Sequence, residues 1–341
     1  MILKKKIVNS LFALLSVLLI FSYSCKNSAE KYKDLPAVLA ELNRQIDKHP
    51  KDDKLYYKRA DYYFGKEKFS SALADILRAI DLNSNESSYY VLLSDIYFAQ
   101  RETDLTEETL ERAIAKDPGN NEARLKLAEL YFLLGMYPDC GKVLDEAIAL
   151  KPHNPKAHLI RAFTLKERGD TINYLRLLQL TIDQDPREIK AFLELGYFYQ
   201  QKLNPLAISY YANALQVDPR NVEINYNLAN LYLDLGEWEK AEEQYKILLQ
   251  IKPDHIWGLN NLGELKRFYE GNYDEAITYF TKALDIDPSF ITALCNRATA
   301  FMEKKEYHHA ERDFKNCLSI DPQYDRAIKG LNQLDHVKAR K

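Results

Sequence analysis

Residues 222–255 read VEINYNLANLYLDLGEWEKAEEQYKILLQIKPDH, and their apolar positions fall into two stripes. Leu228, Ala229 and Tyr232 lie at i, i+1 and i+4, and Ala241, Tyr245 and Leu248 at i, i+4 and i+7. Each spacing puts its side chains on one face of a helix. Gly236 interrupts the pattern between the stripes and Pro253 ends the second one, as residues that break or stop a helix should. The stretch therefore predicts two helices joined by a tight turn.

The same pattern recurs along the chain. With each unit numbered from the equivalent of Val222, position 32 is Ser84, Pro118, Pro152, Pro186, Pro219, Pro253, Pro288 and Pro322, preceded by Pro50, in steps of 33 to 35 residues. Position 8 is Ala60, Ser94, Ala128, Ala162, Gly196, Ala229, Gly263 and Ala298. Position 20 is Ala72, Thr106, Cys140, Tyr174, Ala207, Ala241, Ala276 and Ala310, small in all but Tyr174. Small residues facing each other let two antiparallel helices approach closely.

With Leu228 at position 7, Ala229 at 8, Tyr232 at 11, Ala241 at 20, Tyr245 at 24 and Pro253 at 32, the unit resembles the tetratricopeptide (TPR) repeat, W-x2-L-G-x2-Y, then A-x3-F, then P in 34 residues. The resemblance covers residues 53–324 and implies an all-α, right-handed TPR superhelix, an α-solenoid of about eight helix-turn-helix repeats: 53–86, 87–120, 121–154, 155–188, 189–221, 222–255, 256–290 and 291–324. Residues 34–50, with Leu35, Val38, Leu39, Leu42 and Ile46 at helical spacing, read as an N-terminal capping helix. Residues 325–341 read as a C-terminal one, with polar Asn332 and Asp335 where a repeat would be apolar, as the end of a stacked array requires. Tyr174, a large ring at a close-contact position, predicts splayed helices in the fourth repeat. Repeat 5 is one residue short near Asn204-Pro205 and repeat 7 one residue long between Lys266 and Ala276, both in turns, where length is tolerated.

The first 24 residues break the pattern. Lys4, Lys5 and Lys6 precede an uncharged apolar run, Ile7 to Phe21, that ends at Ser22-Tyr23-Ser24-Cys25. A run of this length is short for a spanning helix, which needs roughly 20 residues, and reads as an export signal. A small residue before Cys at its end resembles the bacterial lipoprotein signal, although Ser22 and Tyr23 depart from that pattern. The resemblance implies cleavage after residue 24, lipidation of Cys25, a polar tether over 25–33 and a place in the bacterial cell envelope. Lys26 after the cysteine points to the outer membrane. An ordinary cleaved signal and an uncleaved anchor are the alternatives. Loss of the three lysines leaves 44 Lys and Arg against 50 Asp and Glu, which speaks against nucleic acid as a partner, since phosphate is held by a basic face.

Candidate chemistry is sparse. No GxSxG, HExxH, Walker or GxGxxG motif occurs, so neither an enzyme nor a cofactor is expected. Cys140 and Cys317 occupy small packing positions, whereas Cys295, at position 5, is expected to face the groove; a Cys295–Cys317 bond is the alternative to three free thiols. No CxxC or Cys/His cluster suggests a metal. The seven histidines read as exposed.

The TPR resemblance also implies a concave groove lined by the first helix of each repeat through positions 2, 5, 6, 9, 12 and 13. Position 6 is Asn227, Asn261 and Asn296 in three successive repeats. A primary amide donates and accepts at once and so can hold the backbone of an extended peptide, which resembles the asparagine ladder of some TPR families. That Asn here serves only packing or solubility is the alternative. Tyr226, Asn230, Trp257, Asn260, Glu264, Arg267, Phe268 and Thr299 surround it, and Trp257, on no core stripe, is expected to be exposed. The carboxylate clamp of chaperone-binding TPRs is matched by Asn230 and Asn261 but not by Tyr226, Cys295 or Thr299. Repeats 1–4 offer a greasier strip: Tyr57, Phe64, Val91, Phe98, Leu125, Phe132, Leu159 and Phe163. These features point to a lipid-anchored scaffold that binds a peptide segment or helix of another envelope protein. An enzyme-associated regulatory module or a surface ligand- or glycan-binding module is the alternative.

Overall fold

The computed structural model describes residues 31–339, and among these the chain is all-helical, with eighteen α-helices and no strand. A single helix, α1 (Ala37–Lys48), precedes α2 (Asp53–Phe64), α3 (Phe69–Leu82), α4 (Ser87–Ala99), α5 (Thr103–Lys116), α6 (Asn121–Leu133), α7 (Tyr137–Leu150) and α8 (Pro155–Glu167). Then come α9 (Thr171–Gln184), α10 (Ile189–Gln200), α11 (Leu206–Val217), α12 (Val222–Asp234), α13 (Trp238–Ile251), α14 (Ile256–Phe268), α15 (Tyr273–Ile286), α16 (Ile291–Glu303), α17 (Tyr307–Ile320) and a final single helix, α18 (Asp325–Ala339). The chain divides into two compact units at Arg168/Gly169, between the helices of the fourth repeat. Tyr174, expected to splay that repeat, is buried in the second unit with its hydroxyl on Glu194 of α10.

Within each unit consecutive helices pack on one another, and the small positions explain how. Ala60, Ala72, Ala128 and Cys140 in the first unit, and Ala229, Ala241, Ala276, Ala298 and Ala310 in the second, have no exposed surface. Position 24 supplies the bulk that fills the space between them. It is Ile76, Leu110 and Leu144 in the first unit and Leu178, Tyr211, Tyr245, Phe280 and Phe314 in the second, each at most 1 % exposed. The rings need extra room. A Cβ on Gly196 would lie 2.5 Å from the ring of Tyr211, and one on Gly263 would lie 2.7 Å from that of Phe280. Phe314 finds its room in the last helix instead, where a Cβ on Gly330 would lie 2.4 Å from its ring.

The turn inside each repeat contains one residue in the left-handed region. Four are glycines, Gly135, Gly169, Gly236 and Gly271, but the other four are Glu67, Arg101, Leu203 and Lys305, with φ between 50° and 67°. A side chain there crowds its own carbonyl at roughly 1–2 kcal/mol, a penalty glycine escapes. Leu203, at φ 50° and 57 % exposed, has little packing to lose. Leu203→Gly is expected to raise stability by about 0.5–1 kcal/mol after the larger entropy of the unfolded glycine chain is subtracted. A thermal melt of the variant that is level with or below the parent would refute this.

Six of the eight first helices begin with side-chain caps. Asp52, Asn120, Asn154, Glu188, Asn221 and His255 each accept from a backbone N–H of the first turn, satisfying donors that have no partner within the helix. At the end of five of the eight second helices, Asp117, Asp185, Asp218, Asp287 and Asp321 accept from the backbone N–H two residues on, which folds the following residue pair into an Asx turn.

Candidate protein-binding face of repeats six to eight

Repeats six to eight place α12, α14 and α16 side by side, and the asparagines meet between them. Asn261 Nδ2 reaches Asn230 Oδ1 at 3.0 Å, the Tyr245 hydroxyl at 3.3 Å and the Tyr226 hydroxyl at 3.4 Å. Tyr245 in turn donates to Asn230, and burial pushes its phenol above the usual range, which keeps that proton in place. Asn260 Nδ2 donates to Asn261 Oδ1 at 3.2 Å, Asn296 Nδ2 to Asn260 Oδ1 at 2.9 Å, and Arg326 of α18 to Asn296 Oδ1 at 2.7 Å. An unbroken line of amides thus runs from α12 to the last helix.

This arrangement corrects part of the sequence-based picture. Asn260 and Asn296 are 1 % and 0 % exposed and their amides are occupied by each other and by Arg326, so neither faces an open groove. The reason is the next helix: α18 closes over position 6 of the last repeat. Cys295 is likewise buried at 1 % rather than groove-facing, and Thr299 donates to the carbonyl of Cys295 within its own helix. Asn227 is half-buried and its side chain makes no hydrogen bond to another described residue. Trp257 is 48 % exposed, edge-on to Phe290 at 4.7 Å between ring centres, and Phe268 is 69 % exposed. Trp257, Asn261, Glu264 and Phe268 stand at i, i+4, i+7 and i+11, a single stripe along α14. Beside it Arg267 donates to Glu303 of α16 at 2.9 Å, while its Nε, turned inward, has no partner. The stripe offers two rings about 16 Å apart, by the helical rise, with amide and carboxylate between them.

The greasier strip of the first unit is largely closed. Val91 and Leu159 are buried, Tyr57 stacks on Tyr89 at 5.1 Å and Phe132 packs against Phe163 at 6.3 Å, leaving Phe98 as the exposed ring. Two histidines also differ from the expected exposure. His158 is buried with Nε2 3.1 Å from the Pro152 carbonyl. His255 is half-buried against Tyr226, ring centres 5.0 Å apart, and its Nδ1 accepts from Gly258 N–H at 2.9 Å.

His255 has a pH consequence. Burial, reinforced by Lys252, lowers its pKa below the ordinary 6.5, and an Nδ1 that accepts a hydrogen bond must carry no proton. The unfolded chain therefore takes up the proton first as pH falls. Stability is complete above 6.5 and declines as pH drops from 6.5 through the lower folded value. His255→Asn keeps a capping acceptor without titrating. Between pH 7 and 5 the variant should lose less melting temperature than the parent; equal losses would refute the assignment.

No group of three or more His, Cys, Asp or Glu suited to a metal occurs among the described residues, and no helix there is long and apolar enough to cross a membrane. The signal sequence and Cys25 lie outside the described residues.

A stack of helical hairpins on a fixed repeat defines a repeat scaffold, and comparison with known proteins agrees. Four tetratricopeptide repeat models match residues 57–119, 97–171, 220–289 and 291–324, and the chain belongs to the tetratricopeptide repeat family. Among solved structures it is similar to the C-terminal part of a TPR repeat-containing protein from Cytophaga hutchinsonii, with TM-score 0.60 and 19 % identity over 70 % of this chain and 98 % of that one. Pseudomonas aeruginosa PilF matches with TM-score 0.51 and 16 % identity over 62 % of this chain and 97 % of that one. At these identities the likeness shows the fold. Among curated relatives, a Schizosaccharomyces pombe homologue of DnaJ homolog subfamily C member 7 is 26 % identical over 48 % of this chain and 38 % of its own length. Small glutamine-rich tetratricopeptide repeat-containing protein 2 of Saccharomyces cerevisiae is 28 % identical over 42 % of this chain and 40 % of its own length. The matches thus span less than half of these relatives.

Proposed function

We propose that the protein is a lipid-anchored TPR scaffold of the bacterial envelope that binds an extended segment of another envelope protein on the first-helix face of repeats six to eight. The observation that supports this reading is the α14 stripe, whose two exposed rings flank polar groups beside the unbonded amide of Asn227. Aromatic residues that project from a rigid surface are the usual anchors of protein interfaces, and a free amide can take one N–H and one C=O of a passing backbone. The buried asparagines stiffen the platform rather than touch the partner. The anchor rests on the pattern of lysines, apolar run and Cys25, and Cys25→Ala should leave an unprocessed precursor or a protein released from membranes.

A photo-crosslinking side chain placed at Trp257 in cells should capture one predominant protein, and the same group at exposed Glu243, on a second helix, should not. Once that partner is in hand, Trp257→Ala should weaken its binding by about 2 kcal/mol, near thirty-fold, and Asn227→Ala by about 0.5–1.5 kcal/mol. Asn227→Ala should leave the melting temperature alone, and Trp257→Ala should lower it only by the loss of its edge contact with Phe290, about 0.5–1.5 kcal/mol. Equal capture from the two positions, or binding indifferent to Trp257→Ala, would place the contact elsewhere.

A further inference from the structure

The two thiols of the last repeat face each other. Cys295 lies on α16 and Cys317 on α17, in one core cluster with Ala298, Ala310 and Phe314, and they are 1 % and 0 % exposed. Cys317 Sγ sits 3.8 Å from the carbonyl oxygen of Ile291. That carbonyl is one turn before Cys295, and helical side chains lean back over the preceding turn, so the Cys295 sulfur is directed to the same spot. Each thiol also shifts the ionisation of the other, Cys317 lowering the pKa of Cys295 and Cys295 raising that of Cys317, as neighbouring thiols do.

We infer that Cys295 and Cys317 are an oxidation site, at which an intramolecular disulfide closes the last helical hairpin when a disulfide oxidant is present. The chemistry balances as two exchanges. The Cys295 thiolate attacks one sulfur of the oxidant, releasing one thiol and leaving a mixed disulfide. Cys317 then loses its proton and displaces the second thiol, so two electrons pass to the oxidant and the S–S bond remains in the protein. Either cysteine can lead, since the exchange is symmetric in the two thiols. Full burial shields both atoms in the folded state, so the bond forms while the hairpin closes over it. By contrast Cys140, whose thiol is pushed up by burial, lies in the first unit beside the Thr164 hydroxyl with no second thiol in its cluster. Where the oxidant comes from rests on the exported reading above, because such bonds persist outside the reducing cytosol; the geometry does not.

The full chain is unfolded in urea with dithiothreitol, freed of reductant, and refolded with either glutathione disulfide or dithiothreitol. Trypsin should then release a linked pair made of residues 283–297 and 316–326, two mass units below the sum of the free peptides, from the first sample alone. The same pair should form in Cys140→Ser and be missing from Cys317→Ser, and the linked protein should melt higher than the reduced one by on the order of 5 °C. Free, alkylatable thiols at both positions after oxidative refolding, a link that prefers Cys140 or Cys25, or a lower melting temperature in the linked form would overturn the proposal. Protein trapped from cells by acid and alkylation tests the compartment separately: a pair that links in the tube but is wholly reduced in cells sinks the exported reading and leaves the geometry standing.

Discussion

Gly263→Ala is expected to destabilise the protein, and to cease doing so once Phe280 is also alanine. In an ordinary helix the first change would stabilise, because alanine exceeds glycine in helix propensity by about 1 kcal/mol. Here the new Cβ would fall 2.7 and 2.9 Å from two ring carbons of Phe280, itself wholly buried between α14 and α15. The ring has nowhere to turn, and overpacking of this kind costs about 1–3 kcal/mol, enough to outweigh propensity. Phe280→Ala alone should cost about 3–5 kcal/mol through lost burial and the cavity left behind. Adding Gly263→Ala to that background puts a methyl into the cavity and restores the propensity term, so its effect should change sign. A double-mutant cycle by chemical denaturation reads this directly. A Gly263→Ala that stabilises the parent would mean that the ring does not fill the space beside this glycine.

Arg297→Met should cost about 3–5 kcal/mol, the range for removing one partner of a buried ion pair. Asp313 is 0 % exposed and takes both its bonds to this guanidinium from Arg297, at 2.7 Å from Nε and 3.1 Å from Nη2. Without Arg297 the buried carboxylate keeps as an ion-pair partner among the described residues only the longer contact with Arg312 Nε, at 3.7 Å. The double variant Arg297→Met, Asp313→Leu should recover most of the loss, since an apolar pair of similar size avoids the dehydration altogether. The surface pair Arg78–Asp81 provides the contrast: Arg78→Met should change stability by no more than ~1 kcal/mol. If the two single variants behave alike, the burial of Asp313 is not what makes its pair matter. Repeat 1 carries the same pair at the same positions, Arg59 with Asp75 at 2.6 and 2.7 Å.

Position in the repeat told more than residue identity did. The small residues at 8 and 20 and the bulky one at 24 were legible because packing repeats wherever the helices cross. The bond made at position 4 was not. Tyr56, Tyr90, Arg124, His158 and Asn225 all reach the carbonyl six residues back, at Pro50, Ser84, Pro118, Pro152 and Pro219. Four kinds of side chain do one job, so no residue type marks it. The asparagines show the opposite failure. Asn227, Asn261 and Asn296 share a position, yet the first is unbonded, the second is linked to Asn230, and the third is sealed by Arg326. Periodicity fixes the face on which a side chain stands, and the neighbouring helix decides whether that face is open. The turns were half legible: glycine marks four of the left-handed residues, while Glu67, Arg101, Leu203 and Lys305 hold that conformation against their own preference.

The contact between the eighth repeat and α18 also bears on how such a chain can lengthen. Repeat arrays grow when a segment of the gene is copied and inserted in phase. At this end a copy would have to present arginine at its second position, to complete the amide of Asn296, and glycine at its sixth, to admit the ring of Phe314. Arg326 and Gly330 of α18 meet both demands. The second residues of the eight repeats are Lys54, Ser88, Glu122, Lys156, Lys190, Glu223, Trp257 and Thr292, and the sixth are Lys58, Leu92, Lys126, Ile160, Glu194, Asn227, Asn261 and Asn296. None of them fits. A duplicated repeat inserted after Tyr324 would arrive with a clash and an unmet amide together, so growth by duplication is blocked at this junction until both residues change.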